Sequence, residues 1–389
     1  MGEEKLFNHD FIVFCEDHYN PLGAVRSLGE EGIAPYVILL ANTEPRMVPY
    51  SKYVKGRVKM VETIEEGYQY LLAEFSNRDN KPFIISCSDN IESYLDMHYN
   101  ELSQHFYFFD GGSQGQITRV MEKNEMSKLA IESGMLVPRT ENVKVGELPK
   151  GLRYPVMTKT TLSLIANWKK NVHICYNEQE LLEAYKGIEL DRINVQEYIE
   201  KENELCIDGV SINGGDEIYM PIQSSYIRFS PTSYGNYVLF EQYKESELYD
   251  KIHSLFQKTC FSGVFCLEFI KGKDGNFYFL EINYRNSTWS YAHTYEGVNL
   301  LLIWARSVLK GKLDTTGVTI RKVPFIAMAE HNDFHDSVVT RRVSLWQWIK
   351  ELKQCDCLFI YNKKDPKPFR RFLSSELWRL VKKFVFRIK

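Results

Sequence analysis

Two apolar, β-rich runs decide the fold: Val264-Phe265-Cys266-Leu267-Glu268-Phe269-Ile270 and Phe277-Tyr278-Phe279-Leu280-Glu281-Ile282-Asn283. The segment between them contains Asp274-Gly275, and Asp-Gly is the preferred pair for a two-residue type I′ hairpin turn. Counting outward from that turn places Glu268 directly opposite Glu281. Asn283 follows Glu281 by two residues, so it projects from the same face of the strand. The sequence therefore predicts a β-hairpin that carries two opposed carboxylates and an amide.

This pair of carboxylates is unfavourable without a partner. Like charges directly opposite each other in a sheet are destabilising, and acids flanked by Phe, Leu and Ile lose hydration energy. A hard cation removes both costs, and two carboxylates with an amide oxygen suit Mg²⁺ that is shared with substrate phosphates. We therefore predict Glu268, Glu281 and Asn283 as metal ligands. The alternative is a solvated hairpin face, which the apolar residues on both faces disfavour.

The N-terminal part of the chain alternates short apolar strands with helical stretches. The strands are predicted at residues 11–15, 36–40 and 83–87. This alternation predicts an α/β domain with a parallel sheet and crossover helices. Ligands bind such sheets at the carboxyl ends of the strands, where the polar segments 16–20 and 88–90 lie. Neither a GxGxxG nor a GxxxxGK[ST] motif is present, so the glycines at 111–115 indicate a plain loop.

Two upstream lysines are candidates for phosphate binding. Lys123 lies near the start of a predicted helix, and Lys159 closes the apolar strand 154–159. A lysine at the end of an apolar strand either extends its amine to water or neutralises an anion. Further along, a strand ends in Gln196-Glu197-Tyr198-Ile199 and is followed closely by Glu204.

The order of these parts resembles the ATP-grasp superfamily over most of the chain. The most specific part is Glu268 followed by Glu281-Ile282-Asn283-Tyr284-Arg285, which is similar to the Glu…Glu-x-Asn magnesium motif of that superfamily and its trailing arginine. Within the superfamily, the chain most resembles carboxylate–amine ligases of the carbamoyl-phosphate-synthase-like and D-aspartate-ligase-like type. The segments 26–33 and 364–368 add weaker similarity.

The resemblance implies a Rossmann-like parallel-sheet (pre-ATP-grasp) domain followed by a two-subdomain ATP-grasp fold of the α/β and α+β classes. The implied domains are residues 1–118 (pre-ATP-grasp), 119–195 (N-terminal subdomain), 196–320 (C-terminal subdomain with the magnesium site) and 321–389 (C-terminal extension). The implied nucleotide contacts are phosphate binding by Lys123 and Lys159, adenine contacts by Glu197, Tyr198 and Ile199, and ribose binding by Glu204. The resemblance also implies Mg²⁺ or Mn²⁺ ligation by Glu268, Glu281 and Asn283, and catalysis by Arg285 and Lys159. Arg228 is implied as a substrate-binding residue, and a surface arginine on an edge strand is an equally favoured reading of that position.

The function implied by the resemblance is an ATP-dependent ligase. ATP would phosphorylate a small-molecule carboxylate, and an amine would attack the acyl phosphate to form an amide or peptide bond. The alternative is an ATP-binding regulatory protein with the same fold and weak or no turnover. The segment 160–170 favours the alternative, because it contains no glycine where many ATP-grasp enzymes have a glycine-rich lid.

Composition limits the other possibilities. The 389 residues include 48 Lys and Arg against 51 Asp and Glu, a net charge of -3, which does not favour nucleic acid as the main partner. There is no uninterrupted apolar run of about 18 residues and no hydrophobic signal region at the start. The 8 cysteines are scattered, as expected for reduced thiols in a cytoplasmic protein. The sequence does not predict an oligomeric state.

The C-terminal segment has a different character. From Lys363 onward there are ten Lys and Arg against two acids, and leucine, valine and phenylalanine recur at helical spacing. This pattern predicts a basic amphipathic helix that docks on a partner or at the inner membrane surface, because cationic amphipathic helices bind anionic membranes. The favoured alternative is a terminal helix packed on its own domain, because apolar stripes usually face a core.

Overall fold

The computed structural model describes residues 8–159, 171–230 and 233–385. The strands are β1 (Phe11–Glu16), β2 (Tyr36–Leu40), β3 (Val58–Val61), β4 (Phe83–Ser86), β5 (Thr140–Lys144), β6 (Val156–Lys159), β7 (Ile174–Cys175), β8 (Arg192–Glu197), β9 (Lys201–Ile212), β10 (Glu217–Ser230), β11 (Ser233–Gln242), β12 (Gly263–Gly272), β13 (Phe277–Asn283), β14 (Phe325–Met328) and β15 (Cys357–Leu358). The helices are α1 (Tyr19–Glu30), α2 (Ile64–Phe75), α3 (Asp89–Asp96), α4 (Tyr99–His105), α5 (Gln116–Val120), α6 (Lys123–Glu132), α7 (Glu178–Tyr185), α8 (Ser246–Thr259), α9 (Ser290–Tyr295), α10 (Leu300–Lys310), α11 (Glu330–Asp333), α12 (Leu345–Gln354) and α13 (Lys367–Val385).

The N-terminal strands form a parallel sheet in the order β3-β2-β1-β4, as their alternation with helices predicted. Alternate side chains of β1 enter two different hydrophobic clusters, with Val13 in one and Phe14 in the other. Both faces of the sheet are therefore covered, which is the usual state of a parallel sheet. Strands β1 and β4 pair in register from Phe11 with Phe83, so their carboxyl ends lie side by side.

An antiparallel sheet follows in the order β5-β8-β6-β7. Its strands and helix α7 share a small separate core, to which Val156, Leu181 and Val195 belong. The predicted boundary between residues 195 and 196 falls inside β8, which continues to Glu197. Because β9 begins at Lys201, a short connection of residues 198–200 links this sheet to the next one.

The largest sheet has the order β13-β12-β9-β10-β11-β14-β15. Its neighbouring strands are antiparallel except for β14 and β15, which are parallel. The last two strands come from residues after 320, so the C-terminal extension completes this sheet. The residues after the N-terminal domain therefore form two β-sheets, and the β12–β13 hairpin lies at one edge of the larger sheet.

A buried ion pair joins the N-terminal domain to the C-terminal extension. The Nε atom of Arg26 in α1 lies 3.2 Å from the Oδ2 atom of Asp365, and both side chains are fully buried. The other guanidinium nitrogens of Arg26 donate to the carbonyl oxygens of Phe359 and Ile360 at 2.9 Å. The hydroxyl of Ser51 also donates to Asp365. The two weaker similarity segments of the sequence therefore meet in one polar core.

All eight cysteines are free thiols, as expected. Within the described residues, no helix is long and apolar enough to cross a membrane. The predicted C-terminal helix is present as α13. The ring of Phe372 on this helix is buried beside His331, with ring centroids 4.8 Å apart, so α13 packs on the body of the protein along that side.

Candidate active site

The β12–β13 hairpin has a longer turn than the sequence predicted. The N–H of Gly272 donates to the carbonyl oxygen of Asn276 at 2.9 Å, which closes a three-residue turn over residues 273–275. Gly275 has a φ of 83°, a left-handed conformation that glycine adopts without a steric cost. The prediction of a two-residue turn was therefore wrong, and the pairing next to the turn shifts by one residue.

A β-bulge restores the pairing farther along the hairpin. Phe269 pairs with Phe279, whereas Glu268 pairs with Glu281, so Leu280 is the extra residue on β13. A bulge of this kind re-aims the side chains beyond it. Glu268 and Glu281 are consequently direct cross-strand partners, as the sequence predicted, because the longer turn and the bulge cancel each other.

Hydrogen bonds connect Glu268, Asn283 and Arg285 beside Glu281. The Nδ2 atom of Asn283 donates to Oε1 of Glu268 at 3.0 Å, and its Oδ1 atom accepts from Nη2 of Arg285 at 3.0 Å. Burial raises the pKa of Glu268 above the usual carboxyl range, and the charge of Glu281 raises it further. Burial also raises the pKa of Glu281, while the charges of Lys123, Arg285 and Lys159 oppose that effect.

These residues fit a hard divalent cation. Two partly buried acids face each other, and their raised pKa values mean that the nearby cations do not fully offset the cost of burying both charges. Within the described residues, no group of three or more His, Cys, Asp and Glu side chains is placed to hold a metal. A cation at this hairpin would be held by the two carboxylates and the amide of Asn283. Ligation through the amide oxygen of Asn283 requires a half-turn of that amide.

The two lysines lie on different elements that converge on the carboxylates. Lys123 is the first residue of α6 and is exposed, and Lys159 is the last residue of β6. The Nζ atom of Lys159 donates to Oε1 of Gln196 at 2.7 Å. The pKa of Lys159 is lowered to about 8, because burial and the charge of Lys123 outweigh the opposing charges of Glu281 and Glu204. Both lysine charges therefore act at the β12–β13 hairpin.

The Glu204 side chain lies on the same face of the large sheet as that of Glu268. Strand β9 pairs with β12, with Glu204 opposite Ile270 and Cys206 opposite Glu268. The carboxylate of Glu204 lies 2.6 Å from the Nζ atom of Lys201, and both side chains are largely buried. A ribose at Glu204 would share this carboxylate with Lys201.

The predicted adenine-binding residues connect the two antiparallel sheets. The N–H of Glu197 donates to the carbonyl oxygen of Arg139 at 2.8 Å, and the N–H of Tyr198 donates to that of Pro155 at 2.9 Å. The Glu197 side chain turns away and accepts from the N–H of Arg153 at 3.1 Å. Ile199 lies against Gly272 of the hairpin. A base bound here would therefore meet backbone groups rather than the Glu197 carboxylate.

Arg285 links the hairpin to the N-terminal domain. Its Nε atom lies 2.9 Å from Oδ1 of Asp89, the first residue of α3. The N–H of the next residue, Asn286, donates to the carbonyl oxygen of Ser86 at the end of β4 at 3.2 Å. The sequence marked residues 88–90 as polar groups at a strand end, but no local pattern identified Asp89 as the partner of a residue almost two hundred positions away.

Arg228 lies in a separate polar cluster. Its guanidinium pairs with Asp333 at 2.6 Å and with Glu351 at 2.8 Å, and the side chain is 15% exposed. The indole N–H of Trp348 also donates to Asp333. Both terminal nitrogens of Arg228 thus have carboxylate partners, and a substrate carboxylate would compete with them. The glycine-free segment 160–170 lies outside the described residues.

Comparisons with known proteins show one similar sequence and several similar folds. No family model matches the sequence. The chain is 24% identical to a D-aspartate ligase of Enterococcus faecium (strain Aus0004) over 76% of each sequence. Among solved structures, it is similar to N5-carboxyaminoimidazole synthetase from Staphylococcus aureus, with a TM-score of 0.64, 15% identity and 85% coverage of both chains.

Two further structures share the fold. L-amino acid ligase from Bacillus licheniformis has a TM-score of 0.57 and 16% identity, with 78% of this chain and 74% of that chain covered. The biotin carboxylase domain of Hydrogenobacter thermophilus 2-oxoglutarate carboxylase, solved with MgADP, has a TM-score of 0.59 and 14% identity, with 79% and 72% covered. The chain therefore shares its fold with these three enzymes, and its sequence is similar to that of a D-aspartate ligase.

Proposed function

We propose that this protein is an ATP-dependent ligase that joins a carboxylate to an amine through an acyl phosphate and releases ADP. The observation that carries the proposal is the pair of directly opposed acids, Glu268 and Glu281, with the charges of Lys123, Lys159 and Arg285 acting on Glu281. Such a concentration of charge is costly in a protein that binds no ligand. It suits a site in which a metal and phosphate groups bind together.

In this proposal the side chains hold and neutralise the reactants. Glu268, Glu281 and Asn283 hold Mg²⁺, and the same donor set suits Mn²⁺. The bound ion supplies positive charge to the phosphates. Lys123 and Lys159 neutralise phosphate oxygens, and the backbone of residues 197–199 contacts the adenine.

The remaining roles concern the ribose and the carboxylate substrate. Glu204 accepts from the ribose hydroxyls, in competition with its ion pair to Lys201. Arg285 binds the carboxylate that is phosphorylated, and it stabilises the charge that develops there. No protein nucleophile is required, so catalysis consists of positioning and charge neutralisation.

The similarity to a D-aspartate ligase and an L-amino acid ligase supports amino acids as the first substrates to test. The experiment measures ADP release with ATP, Mg²⁺, D-aspartate and a mixture of the common L-amino acids, and it detects the amide by mass spectrometry. Glu268→Gln is the inactive comparison, and Glu217→Gln is the matched control because Glu217 lies on β10 of the same sheet, where its carboxylate binds Asn213. ATP binding without ADP release under any substrate combination would instead favour the regulatory alternative.

We also propose that α13 contacts an anionic membrane surface on the cytoplasmic side. Phe372 packs inward, but Leu373, Leu377 and Trp378 are 49%, 64% and 59% exposed. The helix also carries most of the basic residues of the C-terminal segment, so exposed apolar and cationic groups occur together.

Vesicle co-sedimentation tests this contact. Leu377→Glu should reduce binding to vesicles of phosphatidylcholine and phosphatidylglycerol, whereas Leu182→Glu on α7 should not, because Leu182 is similarly exposed at 42% but lies on a helix without a basic face. A substitution is preferable to removal of residues 363–389, which would also remove Asp365 from its ion pair with Arg26. Equal sedimentation of all three proteins would contradict the membrane contact.

A further inference from the structure

The ion pair between Arg285 and Asp89 brings an anionic side chain of the N-terminal domain to the reaction site. Its Nε–Oδ1 distance is 2.9 Å, and Nη2 lies 3.5 Å from the second carboxylate oxygen. Arg285 is 17% exposed, but Asp89 is 48% exposed, so one side of this carboxylate remains open to a ligand. The charge of Asp89 also raises the pKa of Glu281, which means that the three groups are close enough to interact.

A structural role explains only part of this arrangement. An acid in the first turn of a helix is favourable, and Asp89 begins α3, which Ser88 caps. That preference does not require the carboxylate to face an arginine of another domain. Asp17, which follows β1, shows what a purely structural acid looks like. Its oxygens accept from the backbone N–H groups of Arg46, Met47 and Val48 and so hold that loop in place. Asp89 has no such set of backbone donors among its described contacts.

We propose that Asp89 binds the amine substrate in its ammonium form. The inference rests on the proposed ligase function, in which Arg285 turns to the carboxylate substrate. Asp89 then loses Arg285 as its cationic partner, and the ammonium group of the incoming amine takes the place of Arg285. The amine is held next to the carbonyl carbon that it attacks, which is the positioning that an intermolecular reaction needs.

The proton balance of the step also requires an acceptor. The ammonium group transfers one proton to Asp89 and becomes a neutral amine. Its nitrogen lone pair attacks the acyl phosphate, the C–N bond forms, and the C–O bond to phosphate breaks with its electron pair leaving on the phosphate. The second N–H proton passes to the departing phosphate. Asp89 is half exposed, so it can return its proton to solvent before the next cycle.

Hydroxylamine separates amine binding from carboxylate activation, because it is uncharged at neutral pH and traps acyl phosphates as hydroxamates. Wild type and Asp89→Asn are supplied with ATP, Mg²⁺ and D-aspartate or one of the common L-amino acids as the carboxylate. With hydroxylamine, the two proteins should form hydroxamate at rates within about threefold of each other. With the amino acid mixture as the amine, Asp89→Asn should form amide about 10- to 100-fold more slowly, the effect of losing a hydrogen bond to a charged group.

Two controls make the result specific. Glu66 lies in the first turn of α2 in the same domain and forms an exposed ion pair with Lys59 at 3.9 Å. The variant Glu66→Gln should therefore leave both reactions unchanged. Raising the pH toward the pKa of the amine should reduce the amide-forming defect of Asp89→Asn relative to its hydroxamate rate, because the neutral amine no longer needs a counter-charge.

The possible outcomes are distinct. Loss of amide formation with retained hydroxamate formation in Asp89→Asn supports the proposal. Loss of both reactions means that Asp89 only positions Arg285, and loss of neither means that it has no role in amine binding; each result overturns the proposal while the ligase function stands. A wild-type protein that forms no hydroxamate with any of these carboxylates overturns the ligase function itself, and the role of Asp89 with it.

Discussion

Replacing Glu281 with Gln should stabilise the ligand-free protein or leave its stability unchanged, while it removes activity. Glu281 faces Glu268 directly across the hairpin. The charges of Lys123, Arg285 and Lys159 stabilise the ionised form of Glu281, whereas burial and the charge of Asp89 destabilise it. The destabilising effects are larger, so the pKa of Glu281 is raised. A raised carboxyl pKa means that the folded protein disfavours the charge, so a neutral glutamine of the same shape relieves a cost.

The size of this effect follows from the spacing of cross-strand neighbours. Directly opposite side chains have Cβ atoms about 5 Å apart. Two unit charges at that distance interact by about 3 kcal/mol at an effective dielectric constant of about 20. The three cations offset part of this repulsion, so we expect a gain of between zero and about 3 kcal/mol, or at most a few degrees in Tm.

The pH dependence has a definite sign. The raised pKa values of Glu268 and Glu281 mean that the folded chain holds more protons than the unfolded chain above the ordinary carboxyl pKa of about 4. Stability of the wild type should therefore fall as the pH rises from about 4 through the raised pKa values. Glu281→Gln removes one of the two titrating groups, so its melting temperature should vary less over that window.

Ligands should reverse the order of stability. Mg²⁺ with ATP at about 100 times Kd stabilises a protein by about 2.7 kcal/mol, and the variant should gain less because it has lost a metal ligand. Turnover should fall by about 100-fold or more, since each 1.4 kcal/mol of lost transition-state stabilisation costs about tenfold. Differential scanning fluorimetry with and without Mg²⁺ and ATP, together with ADP release, measures these effects. A variant that melts well below the wild type without ligand would show that Glu281 is structural and would refute the metal assignment.

Three further predictions concern other charged residues. Lys159→Met should weaken ATP binding about tenfold or more in calorimetry, because a phosphate loses a charged partner, whereas Lys159→Arg should retain most of the affinity. Since burial lowers the pKa of Lys159 to about 8, binding of metal-free ATP to the wild type should take up a proton near that pH and weaken above it, which calorimetry in buffers of different ionisation enthalpy would detect. Asp365→Ala should destabilise the protein by about 3–5 kcal/mol, because it leaves the buried Arg26 charge unpaired. The double variant Arg26→Met with Asp365→Leu should be less destabilised, because it removes both charges. Thermal melting that ranks the double variant as the less stable protein would contradict this prediction.

Local patterns predicted the elements of the fold well. Strands that alternate with helices indicated the parallel sheet, and two apolar runs around a turn indicated the β12–β13 hairpin. The pairing of Glu268 with Glu281 was predicted correctly from an incorrect turn. The sequence shows where a chain can turn, but a bulge at Leu280 depends on the pairing of β12 with both of its neighbours, which no local pattern contains.

Contacts between distant parts of the chain were not predictable in the same way. Arg228 matched a substrate-binding position by resemblance, yet its carboxylate partners Asp333 and Glu351 lie more than a hundred residues away. Asp89 was visible only as a polar residue after a strand. A long-range ion pair leaves no periodic pattern in the sequence. The Arg228 cluster, for example, forms only because β10, α11 and α12 pack together.

The position of Arg285 explains why the N-terminal domain belongs to the site. The residue that follows it, Asn286, makes three hydrogen bonds to that domain. Its N–H donates to the carbonyl oxygen of Ser86 in β4, its Nδ2 atom donates to Oδ1 of Asn20 in α1 at 2.6 Å, and its main-chain carbonyl oxygen accepts from Nδ2 of Asn20 at 2.9 Å. Asn20 and Asn286 are both buried, so these bonds are shielded from water and hold the chain firmly. Strand β13, which carries Glu281 and Asn283, is therefore followed directly by residues bound to the carboxyl edge of the parallel sheet. A hairpin alone could bind a metal and phosphates, but only this connection brings an acid of the N-terminal domain, Asp89, within hydrogen-bonding distance of the arginine beside them.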